Sequence, residues 1–326
     1  MAGPDGAQAA EQPTKQLPEP VPLATENPHF TQSPRRIALL HLDSLCCLPA
    51  LDHLFSALEN RTCLVISSDR FAGDHGFWRQ LRRTLSHSGV RMTLALGFDI
   101  VALRIAAFFA PVMRWPARLA GKHVPLRTLR EHAQRVGAAF ESVQDINGPA
   151  AIALLRQNKP DLVVSFHFDQ ILRPPFLEAA ACPVVNVHPA LLPAHRGPCP
   201  SFWVLAAAEP TSGITIHRIV DASIDTGEPI VRRERRVSPG MCVAELDECL
   251  FKEGAGALVQ LLAPTPAASA SAPSHFVQAV SSLVADGYES FPDRHAVRLA
   301  RRRGVRLWRL SHAVWLLMGL FGWRRP

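Results

Sequence analysis

Val184-Val185-Asn186-Val187-His188-Pro189 reads as a short strand, apolar until its end, where Asn186 and His188 stand two residues apart and so share one face. Comparable apolar runs occur at Ile37–Leu40, Cys63–Ile66 and Asp161–Phe166. The first two bracket a helical pattern from Pro49 to Glu59. The last run and the quoted strand each follow a helical stretch, the first being Pro149 to Gln157 with Asn147 as its expected N-cap. Strands that are apolar throughout and alternate with helices predict an α/β fold, a Rossmann-like, mostly parallel sheet with helices on both faces. Ligands in such sheets sit at the carboxyl ends of the strands, which is where Asn186 and His188 fall.

Working outward, Gly213–Ile219 and Pro229–Val237 read as two further strands, antiparallel to each other, and Val243–Leu262 as a closing helix. Between the second strand and the Pro149 helix lies a longer helical region, about Gly73 to Arg135. Its apolar middle, Thr93–Met113, carries Asp99 and Arg104 and runs into Pro111 and Pro116. This favours an amphipathic helix in an insertion, lid or packing material, over a membrane span. Residues 1–34, rich in Pro, Gln, Glu and Ala, are expected to be a disordered leader without the basic start and apolar run of a secretory signal, which implies a cytoplasmic protein. Residues 35–262 form the expected catalytic domain, 263–274 an Ala/Pro/Ser linker, and 275–326 a basic, Trp-rich segment with a small strand near Tyr288–Phe291 and a helical tail.

The formal net charge of +7 is concentrated in that tail, where Arg294, Arg298, Arg301, Arg302, Arg303, Arg306, Arg309, Arg324 and Arg325 cluster. An evenly basic nucleic-acid-binding surface is not indicated. Trp308, Trp315 and Trp323 beside these arginines suit either peripheral contact with the inner membrane surface or docking of the helix on the domain. The seven cysteines show no C-x-x-C pair and no His-spaced ligand set, so they are expected to be reduced, buried thiols, with no metal.

Asn186 offers a neutral amide donor and His188 a group that is cation or base near neutral pH. A later acid in Asp221-Ala222-Ser223-Ile224-Asp225-Thr226-Gly227 can orient that histidine, which makes acyl transfer plausible. Asn186–Pro193 with Arg196-Gly197, then Gly213–His217 and Ile224–Gly227, resembles the formyltetrahydrofolate-dependent formyltransferases, convincingly from about Lys159 to Val237. The resemblance implies the formyltransferase fold and a one-carbon transfer in biosynthesis. An acceptor amine attacks the formyl group of 10-formyltetrahydrofolate, giving a tetrahedral intermediate without a covalent enzyme adduct, with Asn186, His188 and Asp225 as catalytic residues. Asn186 would donate to the developing oxyanion, and His188, held as imidazolium by Asp225, would stabilise the same charge.

The family also implies folate contacts from backbone amides and carbonyls of the loop Phe166, His167, Phe168, Asp169, Gln170, Ile171 and Leu172, and of the loop Asp221 to Gly227 with Thr226. Phe168 and Leu172 would supply apolar walls. Arg196, His195 and His217 are candidates for acceptor binding, with His195 more readily a loop residue and His217 equally a structural one. Where several relatives carry a Gly-rich phosphate turn after the first strand, this chain has His41-Leu42-Asp43-Ser44-Leu45-Cys46-Cys47. The segment after Ala263 is short and helical, unlike the C-terminal tRNA-binding domain of methionyl-tRNA formyltransferase. The expected acceptor is a small, amino-sugar or lipid-linked amine, selected by the first-strand loop and the Gly73–Arg135 insertion. Methionyl-tRNA is the alternative acceptor, with nucleic acid otherwise not expected. Water (a hydrolase) and a catalytically idle folate-binding or membrane-docking module are further alternatives.

Overall fold

Seven strands form one sheet in the order β3-β2-β1-β4-β5-β6-β7. The computed structural model describes residues 34–69, 74–120, 125–263 and 287–323. The expected leader and linker lie outside them except for Pro34 and Ala263. β1 (Ile37–His41), β2 (Thr62–Ser68), β3 (Ala139–Val143), β4 (Leu162–Phe166) and β5 (Val184–His188) are parallel, while β6 (Thr211–Arg218) and β7 (Pro229–Arg236) are antiparallel. The fold is the expected mostly parallel, Rossmann-like α/β sheet.

Alternation along β1 explains the two layers. Ala38 and Leu40 join Leu64, Ile66 and Val163 under α4 (Pro149–Asn158) and α5 (Pro174–Ala180). Ile37, Leu39 and Val164 face Leu54, Phe55 and Leu258 of α1 (Leu48–Ala57) and α7 (Val243–Leu261) on the other side. Both faces of β1 and β4 are therefore fully buried, which accounts for their unbroken apolar runs. Gly148 rather than Asn147 caps α4. The Asn147 side chain instead receives the Arg173 N–H and donates to the Ile171 carbonyl, bracing the loop after β4.

The chain runs outward from β1 to β3 and returns to β4 beside β1, so the topological switch lies between the ends of β1 and β4. A reciprocal tie closes it: the Leu42 N–H donates to the His167 carbonyl at 2.7 Å, and His167 Nδ1 meets the Leu42 carbonyl at 3.0 Å.

The long helical region is α2 (Asp74–Leu119), kinked at Gly89 where φ is 81°, followed by α3 (Leu129–Val136), whose Thr128 and Glu131 form a capping box. The amphipathic expectation for α2 is corrected. Met92, Leu103, Ala106 and Ala110 are buried on one side, yet the opposite side is apolar too, with Val101, Ile105, Phe108, Val112, Trp115 and Leu119 exposed at helical spacing. Between Trp78 and Pro116 the helix is long and apolar enough to cross a membrane by length and composition. The charges in its apolar middle are held: Asp99 accepts from the Leu45 N–H, Arg104 pairs with Asp69 at 3.0 Å, and Arg114 pairs with Glu131 while donating to the Leu320 and Leu126 carbonyls, whereas Arg79, Arg82, Arg83 and Arg91 are exposed.

Arg114 thereby joins α2 to α3 and to α9 (Leu310–Leu320), and Leu316 and Leu320 of α9 pack on Leu45, Leu48, Leu103 and Ala106. α8 (Arg294–Arg302) buries Val297 and Ala300 against Met92 and Phe202, the latter on α6 (Pro200–Ala207). The tail is thus docked on the domain. The strand expected near Tyr288 is a single parallel bridge to Arg196.

Candidate active site

The antiparallel register of β5 and β6 sets Asn186 opposite His217 and His188 opposite Thr215. Thr215 holds the following loop, its hydroxyl donating to the Ala190 carbonyl and accepting the Leu192 N–H. Gly227 brings the acidic loop close: a Cβ there would overlap the Arg218 carbonyl oxygen, so only glycine permits the approach that returns Asp225 to β5.

Asp225 is the centre of the cluster. One carboxylate oxygen lies 3.3 Å from His217 Nε2 and 3.2 Å from the Asn186 amide nitrogen. The other accepts the Gly197 N–H at 2.8 Å and lies 3.5 Å from His188 Nδ1. Burial alone would raise its pKa, but the His188 and His217 rings and the Gly197 N–H outweigh that and lower it to about 2. The carboxylate is ionised at any physiological pH.

His188 is held from both sides. Its Nε2 donates to the His195 carbonyl at 2.9 Å and its Nδ1 faces the Asp225 carboxylate, while burial pulls its pKa below the ordinary value, with Asp225 only partly offsetting this. The Asn186 amide nitrogen is engaged as well, between Asp225 and His217 Nε2 at 3.1 Å, so it reaches a substrate oxygen only by exchanging one of these contacts. His217, whose Nδ1 donates to the Arg218 carbonyl, joins the cluster as a full member. Only the cross-strand register reveals this, since nothing along β6 itself marks that histidine.

The other candidates divide. His195 turns its ring outward to Glu209 at 2.9 Å, and Arg196 Nε donates to the Ile224 carbonyl, fastening the two loops around Asp225. In the loop after β4, Phe166 is wholly buried, with its ring stacked on His41 and 5.3 Å from Phe251. Leu172 is buried with Phe168 packed beside it. The side chains of Phe166 and Leu172 are therefore core, so Leu172 is not the exposed apolar wall expected of it, while the expectation for Phe166 concerned the loop's backbone groups. Gln170 receives the Ile146 N–H and donates to Ser68, so its amide braces the loop. Ile171, Asp221 and Thr226 are exposed, with the Asp221 carboxylate accepting the Ser223 N–H.

A separate cavity of about 250 Å³ opens over the carboxyl ends of β1, β2 and β3. Leu42 and Asp43 line it from the first-strand loop, Arg104 from α2, and Thr128 and Arg130 from the entry to α3. Burial raises the Asp43 carboxyl to about 6 against the pull of Arg104 and Arg130, and its Oδ1 is buried without a hydrogen-bond partner. Neighbouring strands are about 4.8 Å apart, so β5 stands about 10 Å from β1 across β4. The cavity and the Asp225 cluster share one edge of the sheet without coinciding.

Residues 117–262 match the family model described as formyl transferase, a span that contains Asn186, His188, His217 and Asp225. The methionyl-tRNA formyltransferase of Roseiflexus sp. (strain RS-1) is 32% identical over 134 residues, 41% of this chain and 41% of that protein. That of Geobacter metallireducens is 33% identical over 130 residues, 40% of this chain and 42% of that protein. This chain thus spans about two fifths of the length of these curated relatives. Among solved structures, glycinamide ribonucleotide transformylase 1 from Symbiobacterium toebii aligns with a TM-score of 0.46 and 21% identity, over 73% of this chain and 91% of that one. A sugar N-formyltransferase from Shewanella sp FDAARGOS_354 aligns at 0.44 and 15% identity, over 78% and 76%.

Proposed function

We propose that this chain, which carries a formyl transferase domain over residues 117–262, transfers a formyl group from 10-formyltetrahydrofolate to an acceptor amine, with Asn186, His188, His217 and Asp225 as the reacting cluster. The carrying observation is their convergence on one buried carboxylate at the end of β5. Asn186 gives up a contact with Asp225 or His217 and donates to the formyl oxygen as charge develops there. His188 faces Asp225 and relays to the leaving folate nitrogen the proton that the attacking amine has shed. Asp225, ionised when the amine attacks, accepts the proton that the amine sheds, directly or through water, and hands it to His188, which restores the carboxylate. The donor would lie along the loops 166–172 and 221–227, whose backbone groups and exposed Ile171 and Thr226 are the parts open to it.

The acceptor is proposed to anchor in the cavity over β1–β3 and reach its amine about 10 Å along the sheet edge to Asn186. Asp43 suits hydroxyl or ammonium groups, and Arg104 and Arg130 suit acidic ones. An amino sugar or another hydroxylated amine carrying an anionic group fits this lining. The exposed face of α2, with α9 beside it, favours peripheral contact with the inner membrane surface and hence a lipid-linked version of that amine. Asp99 is the only acid between Trp78 and Pro116, against six arginines, which suits an anionic leaflet. Methionyl-tRNA is the second reading, favoured by what the sequence relatives are called.

The test is tetrahydrofolate release from 10-formyltetrahydrofolate with amino sugars, lipid-linked amines, methionyl-tRNA or water alone. Release dependent on a hydroxylated amine, with formylated product by mass spectrometry, is expected. Equal release without any amine would make the chain a hydrolase, and folate binding without release would make it an idle module.

A further inference from the structure

We propose that His41, Cys47 and His167 form a binding site for one divalent, borderline-soft cation, zinc being the best match, at the switch between β1 and β4. One ligand atom from each, two imidazole nitrogens and the thiol sulfur, lie within 4.8 Å of one another. These residues are far apart in sequence. The fold brings them together because β1 and β4 are neighbours and the 3-10 turn Leu45–Cys47 folds back over their ends.

Hydrogen bonding aims the donors. His41 Nδ1 meets the Phe166 carbonyl at 2.6 Å and His167 Nδ1 meets the Leu42 carbonyl at 3.0 Å. A carbonyl can only accept, so each Nδ1 carries the hydrogen and a neutral ring leaves the Nε2 lone pair as the metal-binding atom, the arrangement that outer-shell partners impose on metal-binding histidines. His41 Nε2 is buried without a hydrogen-bond partner, and the rings of Phe166 and His167 lie beside that imidazole. Buried polar atoms are rarely left so, and a cation fills the lone pair directly.

One thiolate and two imidazoles select zinc over magnesium or calcium, which require oxygen ligands. With bonds of about 2.0 Å to nitrogen and 2.3 Å to sulfur, tetrahedral geometry separates ligands by about 3.5 Å, so modest side-chain rotation closes the site. Binding forms three coordinate bonds and releases to solvent the one proton that Cys47 and His167 hold between them. The bound ion would clamp the first-strand loop to the loop after β4. This does not depend on formyl transfer.

The experiment uses the full chain stripped with a chelator and titrated with Co²⁺, then Zn²⁺. One Co²⁺ per chain is expected, with a thiolate-to-cobalt charge-transfer band that Zn²⁺ removes by displacement and a Tm raised by either ion. Cys47→Ser should abolish the band, and His41→Ala should weaken binding by more than the roughly 10–100-fold typical of losing an outer-shell partner. Cys63→Ser should change neither. Should the ligand variants fail to fold, the unaltered chain still decides: it should bind one Co²⁺ with the charge-transfer band, and one equivalent of Zn²⁺ should remove that band. Absence of the band in the unaltered chain, or its survival in folded Cys47→Ser, would overturn the proposal.

Discussion

At the residue scale, Asp225 does most to define the site, because three elements meet on its two oxygens. Asn186→Ala should cost about 10²–10³ in kcat, or about 3–4 kcal/mol, if its amide stabilises developing oxygen charge, with folate binding largely kept. Asp225→Asn should reduce turnover at least as far, since an amide accepts no proton from the amine. Both are read by steady-state tetrahydrofolate release on folded protein. The depressed pKa of Asp225 also fixes a direction for stability. Below its ordinary pKa of 3.8 the unfolded chain binds a proton that the native chain resists until about pH 2. Stability from this group is present above about pH 4 and is lost between about pH 4 and 2, about 2 kcal/mol in all.

Elements differ in how openly they declare themselves. β1, β4 and β5 show as apolar runs because both their faces are buried, whereas β3 is an edge strand, mostly exposed or half-buried, and carries no apolar run to mark it between Arg135 and the Pro149 helix. The turn after β6 relies on a steric fact no pattern displays: Gly227→Ala would push a methyl into the Arg218 carbonyl. It should destabilise the chain by about 1–3 kcal/mol in urea denaturation and lower activity by displacing Asp225. α2 is apolar on two faces, one satisfied by α8, α9 and the 3-10 turn and one exposed. Flotation with phosphatidylglycerol-containing vesicles should carry the protein upward, phosphatidylcholine vesicles should do so poorly, and Phe108→Ser/Val112→Ser should abolish it. If the variant instead splits a dimer without altering flotation, the face meets a second copy rather than lipid.

Across the whole molecule, burial of neutral histidine shapes the response to acid. His132 stacks on Phe55 at 4.8 Å, and burial first, then Arg135 and Arg127, lower its pKa to about 3. From about pH 6.5 down to about 3 the unfolded chain therefore takes up a proton the native one refuses. Stability falls by up to about 1.4 kcal/mol per pH unit from this group. His132→Leu should flatten that slope in denaturation measured across the range; an unchanged slope would remove His132 as its source.

The sequence by itself determined the α/β class and the strand–helix alternation, because these depend on local periodicity, and it singled out Asn186 and His188, two positions apart on one strand, with Asp225 in a separate motif further on. Tertiary structure alone decided that His217 meets Asp225, that the Phe166 and Leu172 side chains are core, and that His41, Cys47 and His167 converge. Each of these depends on which strands are neighbours and how much water is excluded. Distance and dielectric arise only when separated segments pack, so no pattern along the chain encodes them directly.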